Sequence, residues 1–124
     1  MAETSPPVQI LFTDEFQRRL QTLAKRYRQI RADVKPVINE LENGNFVGDQ
    51  IPGTGYTVLK VRIKNSDIQK GKSAGYRLIY QVVSSSQVLL LTLYSKSDQA
   101  DISAEEIRDV VSNFQAQNPG ELSE

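Results

Sequence analysis

The hydrophobic positions of this chain change their period three times. "VQILF" (8–12) is a short apolar run and reads as a strand. Thr13 then stands where a helix N-cap belongs, with Asp14 and Glu15 in the first turn and Phe16, Leu20, Leu23 and Tyr27 three or four residues apart behind it. That spacing aligns the apolar residues on one stripe of a helix, and the two carboxylates suit the positive end of its dipole. Val34, Val37, Ile38 and Leu41 form a second stripe, on a helix expected over about residues 30–43, with Gly44 in the position of a C′ glycine. Pro36 is tolerated only in a first turn, which makes Asp33 the expected N-cap. Two such helices in succession predict an antiparallel hairpin.

Beyond the Gly/Pro loop "GDQIPGTGY" the period becomes two. "TVLKVRIK" (57–64) sets Leu59, Val61 and Ile63 against Lys60, Arg62 and Lys64. After the long connection "NSDIQKGKSAG" (65–75), "YRLIYQVV" (76–83) sets Tyr76, Leu78, Tyr80 and Val82 against Arg77, Ile79, Gln81 and Val83. "QVLLLTLYSK" (87–96) follows a serine turn and separates Leu89, Leu91 and Leu93 from Leu90, Thr92, Tyr94 and Lys96. The helical period returns with Ile107, Val110, Val111 and Phe114, behind a capping box from Ser103 to Glu106 and a staple of Ile102 on Ile107.

The order β-α-α-β-β-β-α predicts an α+β fold: an N-terminal strand and helical hairpin, an antiparallel sheet, and a C-terminal helix. With the helices on one face of the sheet, Lys60, Arg62, Lys64, Arg77, Thr92, Tyr94 and Lys96 are expected to share the other. One domain is expected over residues 8–115, with residues 1–7 disordered and 116–124 a flexible tail.

Composition narrows the chemistry. The chain has no cysteine and no histidine, which removes thiolate nucleophiles, zinc–thiolate sites and the commonest general base near neutral pH. The carboxylates gather at helix ends and in the tail, so neither a metal nor another cofactor is expected. The longest apolar stretch, Val88 to Leu93 around one threonine, is too short for a membrane span, and "MAETSPPVQ" lacks the marks of a secretory leader. No membrane association and a cytoplasmic location are expected.

Fifteen cations balance fifteen anions, but they are segregated. Between Val58 and Tyr80 stand Lys60, Arg62, Lys64, Lys70, Lys72 and Arg77 against Asp67 alone. From Asp98 onward seven anions face one cation, Arg108, and this acidic segment is expected beside the cationic face because it follows Lys96 directly. Two like charges about 7 Å apart repel by roughly 2 kcal/mol at an effective dielectric near 20. A phosphate backbone relieves that repulsion. The plainer reading is a solvated sheet face whose lysines discourage edge pairing.

The segments "GDQIPGTGYTVLKVRIKNSDIQKGKSAGYRLIYQV", "VLLLTLYSKSD" and "DISAEEIRDVV" resemble the RelE/ParE superfamily of toxins from type II toxin–antitoxin modules, and look closest to its HigB/RelE-like branch. The resemblance spans about residues 8–115 and implies a helical hairpin followed by a curved antiparallel sheet. It also implies an mRNA interferase, an endoribonuclease that enters the ribosomal A site, where a 2′-hydroxyl attacks the adjacent phosphate of mRNA. Carried onto this sequence, the resemblance makes Lys60, Arg62, Arg77 and Lys96 the catalytic candidates. Lys64, Lys70, Lys72 and Tyr94 become RNA-binding candidates, Tyr94 by stacking on a base. A cognate antitoxin is the implied protein partner. No tyrosine or histidine follows Lys96, unlike in several ribonucleases of the family. The alternatives are a ParE-like protein that binds DNA gyrase without cutting RNA, and a catalytically inactive binding module.

Overall fold

The structure, a computed structural model, describes residues 7–68 and 74–122. Strand β1 (Gln9–Phe12) leads into helices α1 (Asp14–Arg26) and α2 (Ile30–Glu42). Strands β2 (Asp49–Gln50), β3 (Val58–Ile63), β4 (Tyr76–Ser84) and β5 (Gln87–Ser95) follow, and helix α3 (Ala104–Gln117) comes last. The five strands form one sheet in the order β1-β5-β4-β3-β2. β1 runs parallel to β5 and every other pair is antiparallel.

The helix ends follow their local chemistry. Thr13 caps α1, its hydroxyl accepting from the Phe16 N–H at 2.9 Å. Gly44, at φ +86°, closes α2: its N–H reaches the Leu41 carbonyl at 3.0 Å and the Asn45 N–H reaches Glu40 at 2.9 Å. This is the paired pattern that a left-handed glycine permits. The capping box of α3 has both of its reciprocal bonds between Ser103 and Glu106. α2 departs from expectation. It begins at Ile30 behind Gln29, and Pro36 lies inside it. Asp33 is a first-turn residue, not the cap; its carboxylate accepts instead from the N–H and hydroxyl of Ser66, at 3.0 and 3.1 Å. The proline forgoes one hydrogen bond, and burial of Ile30, Val34 and Leu41 holds the helix together around it.

The sheet is covered on both faces, not one. The hairpin packs on Val61, Ile63, Tyr76, Leu78, Tyr80, Val88, Leu90 and Leu93. α3 packs on the opposite face, where Ile107, Val111 and Phe114 meet Val58, Ile79, Leu89, Leu91 and Tyr94. A bulge in β5 corrects the expected alternation. Ile79 pairs with Thr92 but Tyr80 pairs with Leu90, so Leu91 is an extra residue. Leu90 and Leu93, three apart, thereby both face the hairpin, while Leu89 and Leu91 face α3. The Thr13 hydroxyl donates to the Leu91 carbonyl at 2.7 Å, so the cap of α1 also satisfies the bulge.

Candidate functional site

On the α3 side of the sheet, the strand register places three side chains in a row. Arg62 of β3 pairs with Arg77 of β4, and Arg77 pairs with Tyr94 of β5. Residues directly opposite in an antiparallel pair have Cβ atoms about 5 Å apart, so the two arginines start as immediate neighbours. Their surroundings differ. Arg62 is exposed, whereas Arg77 retains only 5% of its accessible surface. Arg77 donates from Nη1 to the Tyr76 carbonyl at 3.2 Å. Burial, and then the charge of Arg62, push its guanidinium down from the ordinary arginine value, with Tyr94 and Asp101 acting in the other direction.

Lys60 stands two residues before Arg62 on the same face of β3 and lies 3.4 Å from the Asp101 carboxylate. Lys96 follows the end of β5. Its ammonium donates to the Ala100 carbonyl at 2.8 Å, and its backbone N–H donates to Gly75 at 2.8 Å. Asp101 therefore belongs to the cationic site. Its Oδ1 accepts the Ile102 N–H at 2.9 Å. That bond holds the carboxyl below its ordinary range against the opposing effect of burial, with Lys60 and Lys96 adding to the depression.

Tyr94 is 2% exposed, packed among the residues that meet α3. A base cannot stack on a ring covered in this way. Its hydroxyl is buried and makes no hydrogen bond among the described residues. Burial first and the nearby Asp101 carboxylate second raise its pKa, and Arg77 lowers it. Thr92 is also buried; its hydroxyl donates to Glu15 at 3.2 Å, away from any role on an open cationic surface. Lys64 is exposed, one residue past the end of β3. Lys70 and Lys72 lie outside the described residues.

Strand register thus assembles Lys60, Arg62, Arg77 and Tyr94, and the β5–α3 loop adds Lys96 and Asp101. The field has the chemistry of an anion site: guanidinium groups match phosphate oxygens in pairs, and ammonium groups supply point charges. Among the described residues no three histidine, cysteine, aspartate or glutamate side chains converge to hold a metal ion. No helix among them is long and apolar enough to cross a membrane.

A family described as the RelE toxin of the RelE / RelB toxin-antitoxin system matches residues 9–119. The chain belongs to the RelE toxin family. Comparison with curated proteins gives no match. The residues spanned by the RelE family match run from β1 through the end of α3, so the hairpin, the sheet and the covering helix all lie within it. Membership supports a toxin role and implies an antitoxin partner. Asp101 is the residue of the site that strand alternation did not single out. Its signal was the acidic run directly after Lys96.

Proposed function

We propose that this RelE-family protein is the toxin of a type II module and cleaves mRNA in the ribosomal A site. The observation that carries the reading is the Arg62–Arg77 row with Lys60 one step along β3. Two like charges in direct cross-strand register cost stability, and an anion between them turns that cost into binding. In the reaction, the 2′-oxygen of a ribose attacks the adjacent phosphorus and loses its proton. The P–O5′ bond breaks and the departing oxygen takes up a proton. The exposed Arg62 balances the charge that gathers on the phosphoryl oxygens, and the buried Arg77 beside it adds its positive field. Lys60 and Lys96 are the candidates for proton transfer.

The test is induction of the chain in cells, with mapping of new transcript 5′ ends with and without translation. Cleavage only in translated transcripts supports the reading. Arg77→Ala should abolish growth inhibition, since it removes the charge that stands behind Arg62, and loss of one charge-stabilising group costs on the order of 10²-fold in rate. A folded Arg77→Ala protein that stays fully toxic would remove its basis.

The antitoxin has a place to dock. Phe12 is 51% exposed at the end of β1, beside a groove of about 440 Å³ lined by Ile10, Phe16, Leu20, Ile38 and Arg31. A second groove of about 260 Å³ shares Phe16, Leu20, Arg31 and Ile38 and reaches Lys35. Apolar walls bordered by Arg31, Lys35 and Glu42 fit an amphipathic antitoxin helix whose polar edge carries both signs of charge. Co-expression with the neighbouring reading frame should give a complex that Phe12→Asp disrupts.

A further inference from the structure

The loop between β5 and α3 is tied at one end to α1 and at the other to the cations of the sheet. Arg26 pairs with Asp98, and Arg19 reaches Gln99 Oε1 at 3.4 Å. Lys96 holds the Ala100 carbonyl at 2.8 Å, and Lys60 lies 3.4 Å from Asp101 Oδ1. Asp101 is the carboxylate of this loop that lies in the shared field of Lys60, Lys96 and Arg77. A carboxylate and a phosphodiester carry the same charge and accept from the same donors. We infer that Asp101 is an internal competitor for the RNA phosphate: it occupies Lys60 in the free protein and sets how strongly the face holds RNA.

This inference rests on the RNA-binding reading of the face. Exposure decides between a competitor and a strut. The Asp101 side chain keeps 67% of its accessible surface and Lys60 25%, so water screens the pair and an incoming anion can displace it. A supporting ion pair would be enclosed. Capping accounts for the bond from the Ile102 N–H but not for the charge, because an asparagine oxygen would accept that N–H as well. The start of α3 is served already by Ser103 and Glu106. A role for Asp101 as general base in cleavage would show in the cleavage rate and not in affinity for uncleavable RNA.

The experiment measures affinity for a short single-stranded RNA carrying 2′-O-methyl groups, which cannot be cleaved, over a salt series. Asp101→Asn keeps the acceptor for Ile102 and removes the charge; Asp101→Ser is the second neutral variant, used should the first fail to fold. Asp98→Asn is the control, because Asp98 faces Arg26. The neutral variant should bind roughly two- to fivefold tighter at low salt, with a steeper salt dependence. Asp98→Asn should match the wild type. In a Lys60→Ala background the gain from Asp101→Asn should shrink, since the competed cation is gone. Wild-type binding with equal or weaker binding by the neutral variants overturns the inference and leaves the RNA-binding face standing. No binding by any of these proteins overturns the face itself, and the inference with it.

Discussion

Arg62 and Arg77 stand directly opposite each other across the β3–β4 ladder, one exposed and the other buried. Like charges in this position destabilise an antiparallel pair by up to about 1 kcal/mol. Stability and binding therefore pull in opposite directions at this pair. Arg62→Gln should raise the melting temperature by about 2–4 °C while weakening RNA binding severalfold. A variant that melts higher and still binds RNA like the wild type would show that Arg62 is only a solvated edge charge.

Salt dependence tests both lysines of the basic strand. Lys60 lies within β3, one same-face step from the arginine row, whereas Lys64 is one residue beyond β3. Each phosphate contact contributes close to one unit to the slope of log affinity against log salt. Lys60→Ala and Lys64→Ala should each lower that slope by about one. Slopes equal to the wild type would assign both lysines to solvation of the sheet.

Much of this arrangement is legible in the amino-acid pattern alone. The faces of β3 and β4 follow from strict alternation, because their inward residues are apolar and their outward ones charged or mixed. Gly44 and the Ser103–Glu106 box mark helix ends through local hydrogen-bond chemistry. β5 is not legible in this way. In "VLLLTL" both alternating sets carry leucine, so one inserted residue at Leu91 leaves no trace in the pattern. The place of α3 is hidden for a related reason: Ile79, Leu89 and Leu91 are apolar enough to bury a second face, yet alternation alone does not say what covers it. Arg77 and Tyr94 are therefore expected on an open surface and are found buried, Tyr94 among the residues that meet α3. β2, two residues long, has no periodicity to read.

Gly75 shows a different kind of constraint. A Cβ added there would lie 2.0 Å from the Ile63 carbonyl oxygen and 3.0 Å from the Asn65 nitrogen. The glycine lets the end of β3 close against the start of β4, and its own carbonyl accepts the Lys96 N–H. Arg77 is two residues away. Gly75→Ala should lower the melting temperature by about 5 °C or more, since overpacking against backbone typically costs about 1–3 kcal/mol. RNA binding should fall with it, measured below the new melting point. An unchanged melting temperature would mean that this junction is looser than the close approach implies.

Glu15 links α1 to β5 and gives a pH dependence. Burial pushes its carboxyl up, but Arg19 at 2.9 Å, Arg18 at 3.1 Å and the Thr92 hydroxyl at 3.2 Å together hold it below its ordinary value of 4.5. A carboxylate depressed in the folded state stabilises fully above its unfolded value and loses that contribution as pH falls through the folded one. Glu15→Gln should therefore melt lower than the wild type at neutral pH. The gap should close progressively below about pH 4.5. Melting curves from pH 7 to pH 3 check this, and a gap independent of pH would assign the loss to packing instead of charge.

Tyr94 completes the row with Arg62 and Arg77, and its hydroxyl poses the sharpest question about the chemistry. The phenol is buried, its oxygen makes no hydrogen bond among the described residues, and burial with the nearby Asp101 carboxylate keeps it protonated well above neutral pH. A buried hydroxyl without a partner costs roughly 1–3 kcal/mol relative to an apolar group of the same shape. If the cations carry the reaction, Tyr94→Phe removes that cost and only the weak pull of the nearby Asp101 carboxylate on the hydroxyl. The variant should melt a few degrees higher and retain cleavage and RNA affinity within about twofold. If the hydroxyl instead delivers a proton during cleavage, affinity for uncleavable RNA would stay constant while the cleavage rate dropped, by roughly the 10²–10⁴-fold typical of a lost acid or base. Measuring melting, affinity and single-turnover cleavage on the same preparation separates the two outcomes. A stabilised protein that binds but no longer cuts would move the chemistry from the arginine row to Tyr94.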